Sequence, residues 1–123
     1  MKTVTLTIEP FTESLNRFKE TFKALQTGRH VEPREVVGFT SLEAARNFLT
    51  RERLALLHTI KNCRPGSIYE LAKMTERDLK NVQEDIRILE RHGLVQIAKR
   101  PRGSRNVKVP RVPFEEIALR IAI

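Results

Sequence analysis

Between Thr50 and Gly93 the chain carries successive helix starts divided by short breaks, and no other stretch restricts its fold as strongly. Thr50 can cap a helix over Arg51–Asn62, with Leu54, Leu57 and Ile60 facing inward. Pro65-Gly66 then interrupts the chain. Ser67-Ile68-Tyr69-Glu70 has the form of a capping box: Ser67 can accept from the Glu70 N–H while Glu70 reaches back to Ser67. The helix it opens is short, about Ile68–Met74. Thr75-Glu76-Arg77-Asp78 repeats the pattern with Asp78 in place of Glu and opens a longer helix, Glu76–Arg91, which Gly93 stops.

A hairpin pattern follows. Leu94–Lys99 reads as a strand, Pro101–Ser104 as a turn around Gly103, and Asn106–Val112 as the returning strand. Pro110 and Pro113 limit that strand to an edge or end it. Charge sharpens this reading. The 123 residues hold 23 Lys and Arg against 15 Asp and Glu, a net charge of +8. Residues 1–50 contribute +1, residues 51–98 +2 and residues 99–123 +5. Lys99, Arg100, Arg102, Arg105, Lys108 and Arg111 lie in a stretch without one acidic residue. Such a field points to a polyanion partner.

Helix, break, short helix, turn, longer helix and basic hairpin form the grammar of a winged helix-turn-helix. Its longer helix enters the DNA major groove, and its hairpin, the wing, touches phosphates or the minor groove. On the longer helix Leu79, Val82, Ile86 and Leu89 form the core face. The opposite face offers Arg77 for guanine, Asn81 for adenine and Glu84 for a cytosine amino group. Ser67, Tyr69, Thr75 and Lys80 suit phosphate, as do Lys99, Arg100, Arg102, Ser104 and Arg105 in the wing. Backbone N–H groups at Ser67 add an anion contact. The competing reading is an ordinary solvated helix face beside a solubilising loop. The adjoining uncompensated wing tips the balance toward double-stranded DNA.

The remaining segments are of another kind. Thr3–Ile8 alternates as a strand. Thr12 can cap a helix over Glu13–Thr27 whose Leu15, Phe18, Phe22 and Leu25 form one stripe, with Gly28 at its end. That stripe is most simply core; its alternative is a homodimer seam, because exposed phenylalanines are costly. Pro33 interrupts, Glu35–Phe39 reads as a strand, and Ser41 can cap Leu42–Leu49. Ile117, Leu119, Ile121 and Ile123 alternate as a strand, with a helix left open there. The expected architecture is α+β: a strand–helix–strand extension over 1–40, a winged helix-turn-helix over 41–113 and a terminal strand over 114–123.

Several function classes lose support. Six Phe, Tyr69 and no Trp make a poor stacking platform for single-stranded bases. Cys63 stands alone, so there is no intrachain disulfide or Cys-rich zinc site, and a packed or half-exposed thiol is the simplest reading. His30, His58 and His92 lack ligand spacing and read as surface or helix-end residues. No carboxylate pair, phosphate loop or activated nucleophile argues for an enzyme, a metal or a cofactor. The longest apolar run, Leu54–Leu57, is too short to span a bilayer, and no signal peptide precedes the first strand, so a soluble, cytoplasmic protein with no membrane partner is expected.

From Ser41 onward the sequence resembles small archaeal and bacterial predicted transcriptional regulators with a winged helix of the broad MarR-like kind. Leu49-Thr50-Arg51-Glu52-Arg53-Leu54 resembles the family's opening of the first helix. Arg64-Pro65-Gly66-Ser67-Ile68-Tyr69-Glu70-Leu71-Ala72 resembles its break and second helix. Asn81-Val82, Asp85-Ile86 and Leu89-Glu90 through Gly93-Leu94-Val95 resemble its recognition helix and exit. Val109-Pro110-Arg111-Val112-Pro113-Phe114-Glu115-Glu116-Ile117, the most particular piece, resembles its terminal segment. The resemblance implies DNA binding and transcriptional control, with repression by a homodimer as the expectation. Some relatives resemble antitoxins, which implies an alternative: a chain that binds a small toxin protein and represses its own operon. A winged-helix RNA-binding module is the other alternative.

Overall fold

The computed structural model describes residues 2–9, 11–26, 28 and 36–123, and only the backbone of residues 11–14, 17, 21 and 25. The readings of His30, Pro33, the start of the strand at Glu35 and the Leu25 side chain fall outside it. The element order is β1 (Thr3–Ile8), α1 (Phe11–Gln26), β2 (Val36–Phe39), α2 (Leu42–Phe48), α3 (Arg51–Cys63), α4 (Ile68–Met74), α5 (Leu79–Arg91), β3 (Gln96–Arg102), β4 (Arg105–Arg111) and β5 (Glu116–Ile121). The chain is α+β. It divides into two compact units, one made by Phe48–Glu115 with Lys2, the other by Thr3–Asn47 with Glu116–Ile123. The expected division into 1–40, 41–113 and 114–123 differs, because the last strand joins the first one.

In the first unit α3 starts at Thr50, whose hydroxyl accepts from the Arg53 N–H at 3.2 Å. It ends where Arg64 turns left-handed, with φ 47°. Leu56, Leu57 and Ile60 are buried. Leu54, expected inward, is 49% exposed. The buried stripe is instead continued one turn earlier by Arg53, which stands three and four residues before Leu56 and Leu57. The short helix α4 begins as expected: Ser67 Oγ accepts from the Glu70 N–H at 3.0 Å. Glu70 reaches back one residue further than expected, accepting from the Gly66 N–H at 3.2 Å. Side chains crowd Gly66: a Cβ there would lie 3.1 Å from Glu70 Oε2 and 3.4 Å from an Arg100 guanidinium nitrogen.

The end of α4 corrects the expected start of the longer helix. Glu76 is left-handed, with φ 54°. Its N–H donates to Lys73 O at 3.2 Å and the Arg77 N–H donates to Ala72 O at 3.0 Å, the paired bonds of a Schellman cap. Residues 76 and 77 therefore close α4 and cannot open α5. Asp78 caps α5 by accepting from the Asn81 N–H at 3.2 Å. Val82, Ile86 and Leu89 are buried as expected, and Leu79 is half-buried. With Leu56, Leu71, Leu94 and Val95 they form the centre of the unit.

The strands β3 and β4 pair antiparallel, with Arg102 opposite Arg105. The turn is therefore two residues, Gly103-Ser104, rather than the expected Pro101–Ser104. Gly103 has φ 63°, as the first position of the tight hairpin turn requires. A two-residue loop makes Arg102–Arg105 a hydrogen-bonded pair. Counting back, Pro101 (opposite Asn106) and Pro110 (opposite Ile97) fall in non-hydrogen-bonded pairs, where a missing N–H costs no bond.

The second unit holds a parallel sheet of order β2-β1-β5. In it β1 is central and buries Val4, Leu6, Thr7 and Ile8. The segment left open between strand and helix is a strand, β5, parallel to β1 from Thr3–Glu116 to Ile8–Ile121. Ser41 caps α2, accepting from the Ala44 N–H at 3.0 Å. The helix α1 begins at Phe11, so Thr12 lies inside it rather than capping it. Its stripe is not core over the residues described: Leu15, Phe18 and Phe22 are exposed, Phe18 by 66%. The Phe18 and Phe22 rings stack on each other with centroids 6.4 Å apart.

Candidate nucleic-acid interface

On α5 the outward positions Lys80, Asn81 and Glu84 are exposed. Glu84 also accepts from Arg87 one turn on, at 3.1 Å. Arg77 is placed differently from the sequence reading. It precedes α5, and its Nη2 donates to Asp85 Oδ2 at 2.8 Å. The other oxygen of Asp85 accepts from Arg53 Nε at 3.1 Å, and Arg53 Nη1 donates to Phe48 O at 2.8 Å. The Asp85 side chain is 14% exposed, so this carboxylate clamps two helices and the turn between α4 and α5. Arg77 is thereby tied to Asp85 across the turn between α4 and α5, rather than standing on the outward face of α5. Asp85 is the residue that sequence reasoning missed. Its signal was an acid beside the core stripe, three residues after Val82 and four before Leu89.

The other α4 candidates are partly engaged. The Ser67 hydroxyl and the Gly66 N–H are both used within the start of α4. The Thr75 hydroxyl donates back to Leu71 O at 2.9 Å. Tyr69 is exposed, with Lys73 Nζ 4.8 Å from its ring centroid. Behind the helix, His92 packs on Phe48 with ring centroids 4.4 Å apart.

The hairpin collects the charge. Lys99, Arg100, Arg102, Ser104 and Arg105 are all exposed. Of these, Arg100 turns back, donating to Gly66 O at 3.3 Å and linking the hairpin to the start of α4. The register sets Lys99 opposite Lys108 and Arg102 opposite Arg105. Directly opposed like charges destabilise an isolated hairpin, and between Gln96 and Arg111 no acid relieves them. The sequence reading counts Lys108 in the basic stretch without assigning it a contact; the register places it opposite Lys99.

Where the hairpin ends, Glu115 Oε2 accepts from the Lys2 N–H at 2.7 Å, and Lys61 Nζ stands 3.5 Å from Glu115 Oε1. The Lys2 hydrogen bond holds the Glu115 carboxyl below the ordinary glutamate range; desolvation opposes it, and the Lys61 ammonium adds to the lowering. Among the described residues no three His, Cys, Asp or Glu stand together as metal ligands. No helix among them is long and apolar enough to cross a membrane. Cys63 is exposed and free.

No curated protein matches the chain. Among solved structures it is similar to a transcriptional regulator homologue protein from Pyrococcus horikoshii OT3, at 22% identity over 58% of this chain and 76% of that one, with a TM-score of 0.43. A family model matches residues 48–119, from the end of α2 into β5. The chain belongs to the HVO_A0114 family.

Proposed function

We propose that this chain is a winged helix-turn-helix protein that binds double-stranded DNA and regulates transcription. One observation carries the reading: a two-stranded hairpin that opposes Lys99 to Lys108 and Arg102 to Arg105 with no acid in either strand. Such a ladder works against its own folding unless phosphate lies on it, and phosphate neutralisation with counterion release gives affinity without sequence preference. The helix that precedes it, α5, presents Lys80, Asn81 and Glu84. Asn81 suits the adenine edge, Glu84 a cytosine amino group and Lys80 a phosphate. Arg53, Arg77 and Asp85 act behind this surface as positioning residues.

The test is titration of labelled duplexes, one enriched from a random pool and one scrambled, at several salt concentrations. Arg102→Ala is expected to weaken both duplexes alike and to reduce the salt slope by about 0.9. Asn81→Ala is expected to cost about 1–3 kcal/mol at a single base pair and to leave the scrambled duplex unaffected. An unchanged salt slope in Arg102→Ala sinks the wing assignment. Displacement of the enriched duplex by an equal concentration of structured RNA would overturn the DNA reading in favour of RNA.

A further inference from the structure

The sheet of the second unit ends in an edge that is apolar, regular and open. Leu119 and Ile121 on β5 are 56% and 52% exposed. Neither a proline nor a bulge interrupts the β5–β1 register between Glu116 and Ile121, so of the common devices that blunt a sheet edge it carries only charge, at Glu116 and Arg120. The phase of its backbone is fixed. Ala122 N–H donates to Ile8 O at 2.9 Å, so the even-numbered residues turn their amides toward β1. Ile117, Leu119 and Ile121 turn theirs outward.

We infer that β5 pairs antiparallel with β5 of a second copy of this chain, joining two three-stranded sheets into one of six. A two-fold axis at Ala118 sets Ile117 opposite the partner's Leu119, both with outward amides, so the four bonds of two hydrogen-bonded pairs form. In the same register Glu116 faces the partner's Arg120 twice over, in non-hydrogen-bonded pairs where side chains approach most closely. Glu116 and Arg120 stand symmetrically about Ala118, the only charges in β5 and of opposite sign. Glu116 already accepts from Thr3 at 3.1 Å. Arg120 lies 3.8 Å from Glu9 and keeps 61% of its side chain exposed. Ala118, between them, is small enough to let them close. On the other face Ile117, Leu119 and Ile121 of the two copies make one continuous apolar strip. The opposite edge fits a partner less well: β2 has four residues, one of them Gly38.

This inference does not depend on DNA binding, and its test uses none. In the full chain with Cys63→Ser, Ala118→Cys is expected to form a disulfide-linked dimer under mild oxidation, because a position on the two-fold axis meets itself. Glu52→Cys, exposed on α3, is the control and stays monomeric on denaturing gels. Sedimentation across a concentration series is expected to show a dimer of the native chain. Leu119→Asp should raise its dissociation constant roughly tenfold or more by placing a charge in the apolar strip, with the circular dichroism unchanged. If Leu119→Asp unfolds, the Ala118→Cys cross-link decides alone. A monomer at every concentration overturns the proposal. So does a dimer that Ala118→Cys fails to trap, since it must use another face, such as Phe18 and Phe22 on α1.

Discussion

The two units leave opposite things unsatisfied at their surfaces. The unit of α3, α4, α5 and the hairpin buries most of its large aliphatic residues, Leu54 and Met74 excepted, and exposes cations that face one another across β3 and β4. The unit of the parallel sheet buries Thr7 and Glu9 beside its core and leaves Phe18, Phe22, Leu119 and Ile121 in water. Charge without counter-charge is relieved by a polyanion; apolar surface beside an open strand edge is relieved by protein. On the two proposals above, one surface meets a polyanion and the other a second copy of the chain.

The contrast can be broken most forcefully in the core. Leu89→Ala, at a position with no exposure, is expected to cost about 2–5 kcal/mol in urea unfolding. Phe18→Ala, on the exposed stripe, is expected to stay within about 0.5 kcal/mol; a large loss there would show the stripe to be core after all. Next comes the clamp. Asp85→Asn leaves Arg53 and Arg77 without their carboxylate and is expected to cost about 1.5–3 kcal/mol. It should also blunt discrimination between duplexes, because α5 is no longer held at its aim.

Smaller effects sharpen the comparison by their sign. Lys108→Glu replaces a repulsive pair with an attractive one and is expected to stabilise the hairpin by about 0.2–1 kcal/mol while weakening binding to every duplex. If stability and affinity fall together, the wing is not a strained cationic ladder. The smallest effect belongs to Glu115. Its folded pKa is lowered, so its contribution is present above the ordinary glutamate value and fades as the pH falls through the lowered one. Carboxyl NMR should show that midpoint below the usual range, and Glu115→Gln should flatten the acid side of the stability profile.

How much of this was legible in the sequence depended on distance along the chain. Thr50, Ser67 and Ser41 each bond a backbone N–H three residues on, and such caps are written in the local residue types. Glu76 was not legible, because a left-handed turn usually announces itself with glycine or asparagine. Its conformation moved the start of α5 and, with it, the role of Arg77. Leu54 and Leu56 lie on nearly opposite sides of α3, and the buried side is the one that carries Leu56 and Arg53, whose partner Asp85 is 32 residues away. Alternation marked β5 as a strand but could not name its neighbour. In the candidate site, the cations were countable from composition, whereas their opposition across the hairpin needed the register.

The pairing of β1 with β5 also sets an order of events. Thr3 and Glu116 meet across 113 residues, while the helical unit, Lys2 apart, is the continuous segment Phe48–Glu115 between them. Contacts of such long separation form late, because chain closure must precede any bond that rewards it. During synthesis the first strand is made long before its neighbour exists, and the helical unit can fold meanwhile. Its folding shortens the path that the closing strand must search. Until then Val4, Leu6 and Ile8 lack one flank of their sheet, so the interval between making β1 and making β5 is when this chain is most exposed to misassociation.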